Sequence, residues 1–169
     1  ARGAHRALIV WWFRERPDYS NLVYTFMNRV AARTAKTFPD RYLGSLAYYW
    51  CEQAPDFPVD PHIIPFLTAD RSQGYDKIFR AEDRALQKRW IEALRRGRNL
   101  KNDDGSLKQP VADRSAQTSD SPAPPLRAGI YDYIYGGGFL IPRQHPHLLA
   151  EHLRYTRRLG FTDYFAEVN

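Results

Sequence analysis

Four carboxylates stand at or just past the ends of apolar runs in this chain. Glu52 follows Tyr42-Leu-Gly-Ser-Leu-Ala-Tyr-Tyr49, and Asp70 follows His62-Ile-Ile-Pro-Phe-Leu-Thr68. Asp132 lies within the run Ile130–Ile134, and Glu167 within Asp163-Tyr-Phe-Ala-Glu-Val168. An acid in an apolar strand is costly unless it has a partner, water or a task. A pair of such acids is what glycoside cleavage requires: one is protonated to donate to the leaving oxygen, and the other is ionised to activate water or attack carbon. A separation of about 5–5.5 Å gives retention and about 6.5–9.5 Å gives inversion. Asp132 and Glu167 lead this set, with Glu52 and Asp70 in reserve. Tyr48, Tyr49, Trp50, Tyr133 and Tyr135 lie beside them and offer aromatic faces to sugar rings, with Trp50, Tyr133 and Tyr135 preferred. Arg71 and Arg143 are the cations nearest the same segments, and an arginine fork suits the carboxylate of an acidic sugar. Simpler roles are open to each residue. Asp70-Arg71 also reads as a loop cap beside a surface cation, Glu52 as a solvated loop acid, and about half of the tyrosines as core.

Other chemistries find less support. His145-Pro-His147 is not a metal-ligand spacing, and one cysteine, Cys51, supplies no thiolate pair, so neither a metal nor a cofactor is expected. Gly136-Gly-Gly138 lacks the G-x-G-x-x-G spacing and any following Lys-Ser/Thr, so it reads as a turn. No nucleophilic G-x-S-x-G elbow is present.

The elements that must position these residues alternate. A helix is expected from about Tyr19 to Thr37, capped by Asp18 or Ser20, with Leu22, Phe26 and Val30 sharing an apolar face with Val23, Met27 and Ala31. Pro39 ends it. The run Tyr42–Tyr49 barely alternates and reads as a strand buried on both faces. Pro65 argues for an edge or a bulge in the second strand. A second helix spans about Arg80 to Arg96, with Leu86, Trp90 and Leu94 in its stripe, acids in its first turn and Gly97 just past its end. Residues 98–127 are low-complexity and carry no expected site. A strand at Ile130–Ile134, a helix starting near Pro146 and stopping at Gly160, and a strand at 163–168 complete the order. Helices alternating with apolar strands predict an α/β fold of parallel strands. The C-terminal half of a (β/α)8 TIM-type barrel fits that order, with a doubly wound open sheet as the alternative. Residues 1–17 are basic around an apolar core, Leu8-Ile-Val-Trp-Trp-Phe13, and are unassigned; the partial barrel occupies 18–169.

A net charge of +6 raises nucleic acid as a partner. The cations of the second helix are interleaved with Glu82, Asp83 and Glu92, as on a solvated helix face, so a carbohydrate partner is preferred. No stretch approaches the roughly 18 apolar residues of a membrane span.

Several segments together resemble a known family. They are Ser20-Asn-Leu-Val-Tyr-Thr-Phe-Met-Asn-Arg-Val30, Tyr42-Leu-Gly-Ser-Leu-Ala-Tyr-Tyr-Trp-Cys-Glu52, Leu67-Thr-Ala-Asp-Arg-Ser-Gln73, Tyr131-Asp-Tyr-Ile-Tyr-Gly136 with Leu140-Ile-Pro-Arg143, and Tyr164-Phe-Ala-Glu-Val168. In this order the chain from about Asp18 to Val168 resembles the bacterial family called domain of unknown function 4838. That family looks like glycoside hydrolases built on a (β/α)8 barrel and related to alpha-glucuronidase-type enzymes. The resemblance implies carbohydrate hydrolysis, a secreted or periplasmic setting and a first barrel half outside this chain. It carries over no catalytic assignment, and it covers neither residues 1–17 nor 98–127.

Overall fold

The computed structural model describes residues 17–69, 71–99, 125–133 and 145–167. Among them are three helices and one four-stranded sheet: α1 (Ser20–Thr37), β1 (Leu43–Ala47), β2 (Ile63–Ala69), α2 (Lys77–Asn99), β3 (Gly129–Tyr133), α3 (Pro146–Leu159) and β4 (Asp163–Glu167). Two short 3-10 turns, Tyr49–Cys51 and Arg71–Tyr75, follow β1 and β2. The strand order is β1-β2-β3-β4 and every pair is parallel. The expected α/β class and parallel sheet are therefore present. The N-terminal segment up to residue 16, most of the low-complexity stretch, and the glycine turn with its rim loop lie outside the described residues.

Parallel register places partner residues on one face of the sheet. Ala47, Leu67 and Ile130 line the inner face and are no more than 1% exposed, packed with Tyr24 of α1 and with Trp90, Ile91 and Leu94 of α2. The opposite face carries Leu46, Phe66, Tyr131, Tyr133, Phe165 and Glu167. Leu46 and Phe165 on it are 50% and 53% exposed, so β1 is not buried on both faces as its apolar run suggests. A run that barely alternates reports composition, and it cannot distinguish a covered face from an open one.

Several local expectations are corrected by packing. Tyr19 is the N-cap of α1, and Asp18 one residue earlier accepts the Ser20 N–H at 2.9 Å. The buried row of α1 contains Ser20, Tyr24 and Ala31, whereas Leu22 and Phe26 are 70% and 64% exposed. Tyr24 claims the inner row because its ring meets Trp90 edge-on at 4.9 Å and its hydroxyl reaches Ser45 Oγ. Pro65 sits in an interior strand, opposite Ser45, and is fully buried. It forgoes only its own ladder hydrogen bond there. Helix α2 begins a turn earlier than expected, because Asp76 Oδ1 accepts the N–H groups of Ile78 and Phe79; Glu82 and Asp83 thus lie beyond its first turn. Gly97 is inside α2 rather than past its end. A Cβ there would stand 2.0 Å from the Val59 carbonyl oxygen, so the glycine allows the close approach of the β1–β2 connection. Gly160, with φ of 122°, does end α3, and Pro146 does start it.

Candidate functional site

Aromatic rings run in a row from the turn after β1, across β3, to the middle of β4. Just past β1, Tyr48 meets Tyr49 edge-on at 4.1 Å, and Tyr49 lies 6.4 Å from Trp50. Tyr48 also approaches Tyr133 of β3 at 6.2 Å. Tyr133 contacts Tyr131 at 5.5 Å, and Tyr131 stacks on Phe165 of β4 at 4.9 Å. The alternation of β3 explains the grouping, since Tyr131 and Tyr133 are two residues apart and share a face. Tyr49 holds φ at 53°, the one positive-φ non-glycine residue among those described. A left-handed backbone at a bulky residue is a strained state that surrounding structure must hold in place. Tyr49 and Trp50 remain 45% and 57% exposed at that position.

One carboxylate joins the row. Tyr131 donates its phenolic proton to Glu167 Oε2 at 2.9 Å. This bond to Glu167 is the main reason the Tyr131 phenol is pushed above its usual range. Tyr48 is pushed up as well, by burial first and then by Tyr49 and Tyr133. Both phenols therefore remain protonated hydrogen-bond donors at neutral pH.

Asp132 lies on the other face. It is 5% exposed, pairs in register with Ala166, and accepts a bond from the Tyr164 hydroxyl at 3.3 Å. Consecutive residues of β3 point to opposite sides, so Asp132 turns to the helix layer while Tyr131 and its partner Glu167 turn to the open face. The two leading acids are thus brought close in the sheet and directed apart. Glu52 follows the 3-10 turn bearing Trp50, and its backbone carbonyl accepts the Trp90 indole N–H at 2.8 Å. Arg71 opens the turn after β2. Asp70, Tyr135 and Arg143 lie outside the described residues. Tyr48 and Tyr49, two of the tyrosines read as able to stack on sugar rings, stand in the row; Tyr131 and Phe165 complete it and are absent from the sequence candidates. The recoverable signal was the spacing of Tyr131 and Tyr133 on one strand face.

Elsewhere, a shallow cleft between the N-terminal turns of α2 and α3 is lined by Arg80, Arg84 and Glu151, with Arg84 bonded to Glu151 at 2.6 Å. Tyr75 bonds His147 at 2.9 Å beside it. Among the described residues no cluster of three His, Cys, Asp or Glu side chains could hold a metal ion, and no helix is long and apolar enough to cross a membrane. No protein-family model, curated protein or solved structure matches the chain.

Proposed function

We propose that the chain is part of a glycoside-hydrolase-like (β/α) barrel and that the rim at the strand C-terminal ends binds carbohydrate. The rings past β1 and at the end of β3, Tyr48, Tyr49, Trp50 and Tyr133, with Glu167 at the end of β4, carry this reading. Sugar rings present C–H groups that stack on aromatic faces and hydroxyls that seek polar partners, and this face combines rings with a carboxylate and phenols. A parallel sheet with its helices on one side and its polar chemistry at the strand C-termini matches the layout in which barrel enzymes keep their sites.

Glycan binding, measured by calorimetry on a panel of oligosaccharides, tests the reading. Trp50→Ala, which removes an exposed ring past the end of β1, lowers affinity by about 2- to 10-fold, corresponding to the roughly 0.5–1.5 kcal/mol of one aromatic contact. Equal affinity in this variant, or binding to none of the panel, removes the proposal.

Hydrolysis is the second reading, favoured by the position of Glu167 at a strand C-terminus beside Tyr131. A sugar on the open face meets Glu167, and Asp132 supports the sheet from behind. The second carboxylate of a catalytic pair then comes from elsewhere on the open face, with Glu52 and Asp70 as the candidates. Turnover of a glycoside panel by Glu167→Gln checks this: an undiminished rate excludes Glu167 from the chemistry.

A further inference from the structure

We infer that the apolar segment Leu8-Ile-Val-Trp-Trp-Phe13 docks on α1, over Leu22 and Phe26, whatever the rim binds. The apolar face of α1 is wider than its buried row. Tyr24 and Ala31 are buried, and Val23 and Met27 pack against the core only in part. At about 100° per residue, Met27, Val23, Val30, Phe26 and Leu22 follow one another around the helix, moving outward from Tyr24. The first three are half-buried, and Phe26 and Leu22 are 64% and 70% exposed. The flank on the other side of Tyr24 is occupied. There Asn21 donates to Asp56 Oδ2 and accepts the Asp56 N–H, and Asn28 donates to the Pro58 carbonyl and accepts the Asp60 N–H. One flank is thus polar and bonded to the β1–β2 connection, while the other runs apolar from core to water. Apolar residues scattered singly on a surface are ordinary; a contiguous ridge of them marks a contact surface.

The place of the segment in the chain selects it as the occupant. Residues 1–16, outside the described residues, join the fold at the first turn of α1. That entry point is fixed, because the Tyr19 N–H donates to the Trp50 carbonyl at 2.6 Å. Five residues, Arg14 to Asp18, separate Phe13 from Tyr19. At about 3.3–3.6 Å per residue such a span reaches roughly 20 Å. Leu22 and Phe26 lie in the first two turns of α1, within roughly 11 Å of Tyr19 along the axis. The segment reaches both by turning back along the helix, and its six apolar residues need cover of their own. A short tether also holds it at an effective concentration of roughly millimolar, which a second copy of the chain in dilute solution does not match.

A double-mutant cycle in the full chain, read by thermal melting, tests the contact. Gln is a better helix former than Phe, so on an open flank Phe26→Gln leaves the melting temperature unchanged or raises it. Docking predicts the reverse, a fall of about 3–10 °C from the loss of a covered ring. Trp11→Gln with Trp12→Gln lowers the midpoint as well. With both indoles replaced, Phe26→Gln then shifts it by no more than about 2 °C, because the ridge has already lost its cover. Leu22→Gln, on the same flank, runs the same cycle where Phe26→Gln gives no cooperative melt. An unchanged midpoint in Phe26→Gln, or shifts that simply add, overturns the docking. A midpoint that rises with protein concentration, with a dimer that Phe26→Gln abolishes, assigns the ridge to a second copy and overturns it too. Each of these outcomes leaves the carbohydrate reading untouched, since no glycan enters the measurement.

Discussion

Tyr131 links the two halves of the site, since its ring stacks on Phe165 and its hydroxyl donates to Glu167. Tyr131→Phe keeps the stack and deletes the donor, so it is expected to reduce glycan affinity less than Tyr131→Ala while leaving the melting temperature unchanged. Asp132 and Glu167 divide differently. Asp132 is buried and accepts from Tyr164, so Asp132→Ala removes that hydrogen bond and costs about 0.5–1.5 kcal/mol of stability in urea titration. Glu167→Gln is expected to change affinity with little effect on stability. A reversed pattern would return Asp132 to the binding face. Protonation adds a further expectation at this scale. Burial raises the Tyr24 phenol, as it does that of Tyr48. The folded chain holds those protons more tightly than the unfolded chain, so their contribution is complete below about pH 10 and is lost as pH rises through the folded values. Stability should therefore fall on the alkaline side. Tyrosinate absorbance should show at least two phenols titrating late in the folded protein and together with the rest in denaturant.

Between elements, the closest fit is that of Gly97 against the connection after β1. An alanine is the better helix former by about 1 kcal/mol, yet its Cβ would meet the Val59 carbonyl at 2.0 Å. Gly97→Ala is expected to destabilise by about 1–3 kcal/mol, because backbone on both sides must move. A neutral or stabilising change in the denaturation midpoint would show that the connection yields. The same position shows what the sequence could and could not convey. Glycine near a run of arginines reads as a helix stop, and nothing local announces a carbonyl from residues far away in sequence. The ends of α3 were legible because Pro146 and Gly160 act through their own backbone. The strands were legible as apolar runs, and their parallel pairing followed from the intervening helices. Their open face was not, since Leu46 and Ala47 are alike in composition and differ only in what lies above them. The opposed directions of Asp132 and Glu167 were implicit in strand alternation, but only the register of β3 with β4 turns that alternation into opposite faces.

At the scale of the molecule, the described helices cover one face of a parallel sheet, and among the described residues no helix covers the other. Sheets of this kind are ordinarily covered on both faces or closed into a barrel. Among the described residues β2 and β3 each have a strand on either side, whereas β1 and β4 each have one. Backbone amides in the two inner strands open only with the sheet, and those on the outer sides of β1 and β4 can exchange through local fraying. Hydrogen exchange on this chain should therefore protect Leu67 and Ile130 at the level of global unfolding, with Gly44 and Tyr164, whose N–H groups point away from the neighbouring strand, several-fold to many-fold less protected. A protein extended by further β/α units would change one part of that pattern. On the barrel reading closure pairs both outer strands, and protection at Gly44 and Tyr164 rises together toward that of Leu67. A sheet extended on one side only raises one of the two and leaves the other exchanging as before. Exchange at those two amides, compared between this chain and such an extended protein, thus decides between a closed barrel and an open sheet without reference to activity.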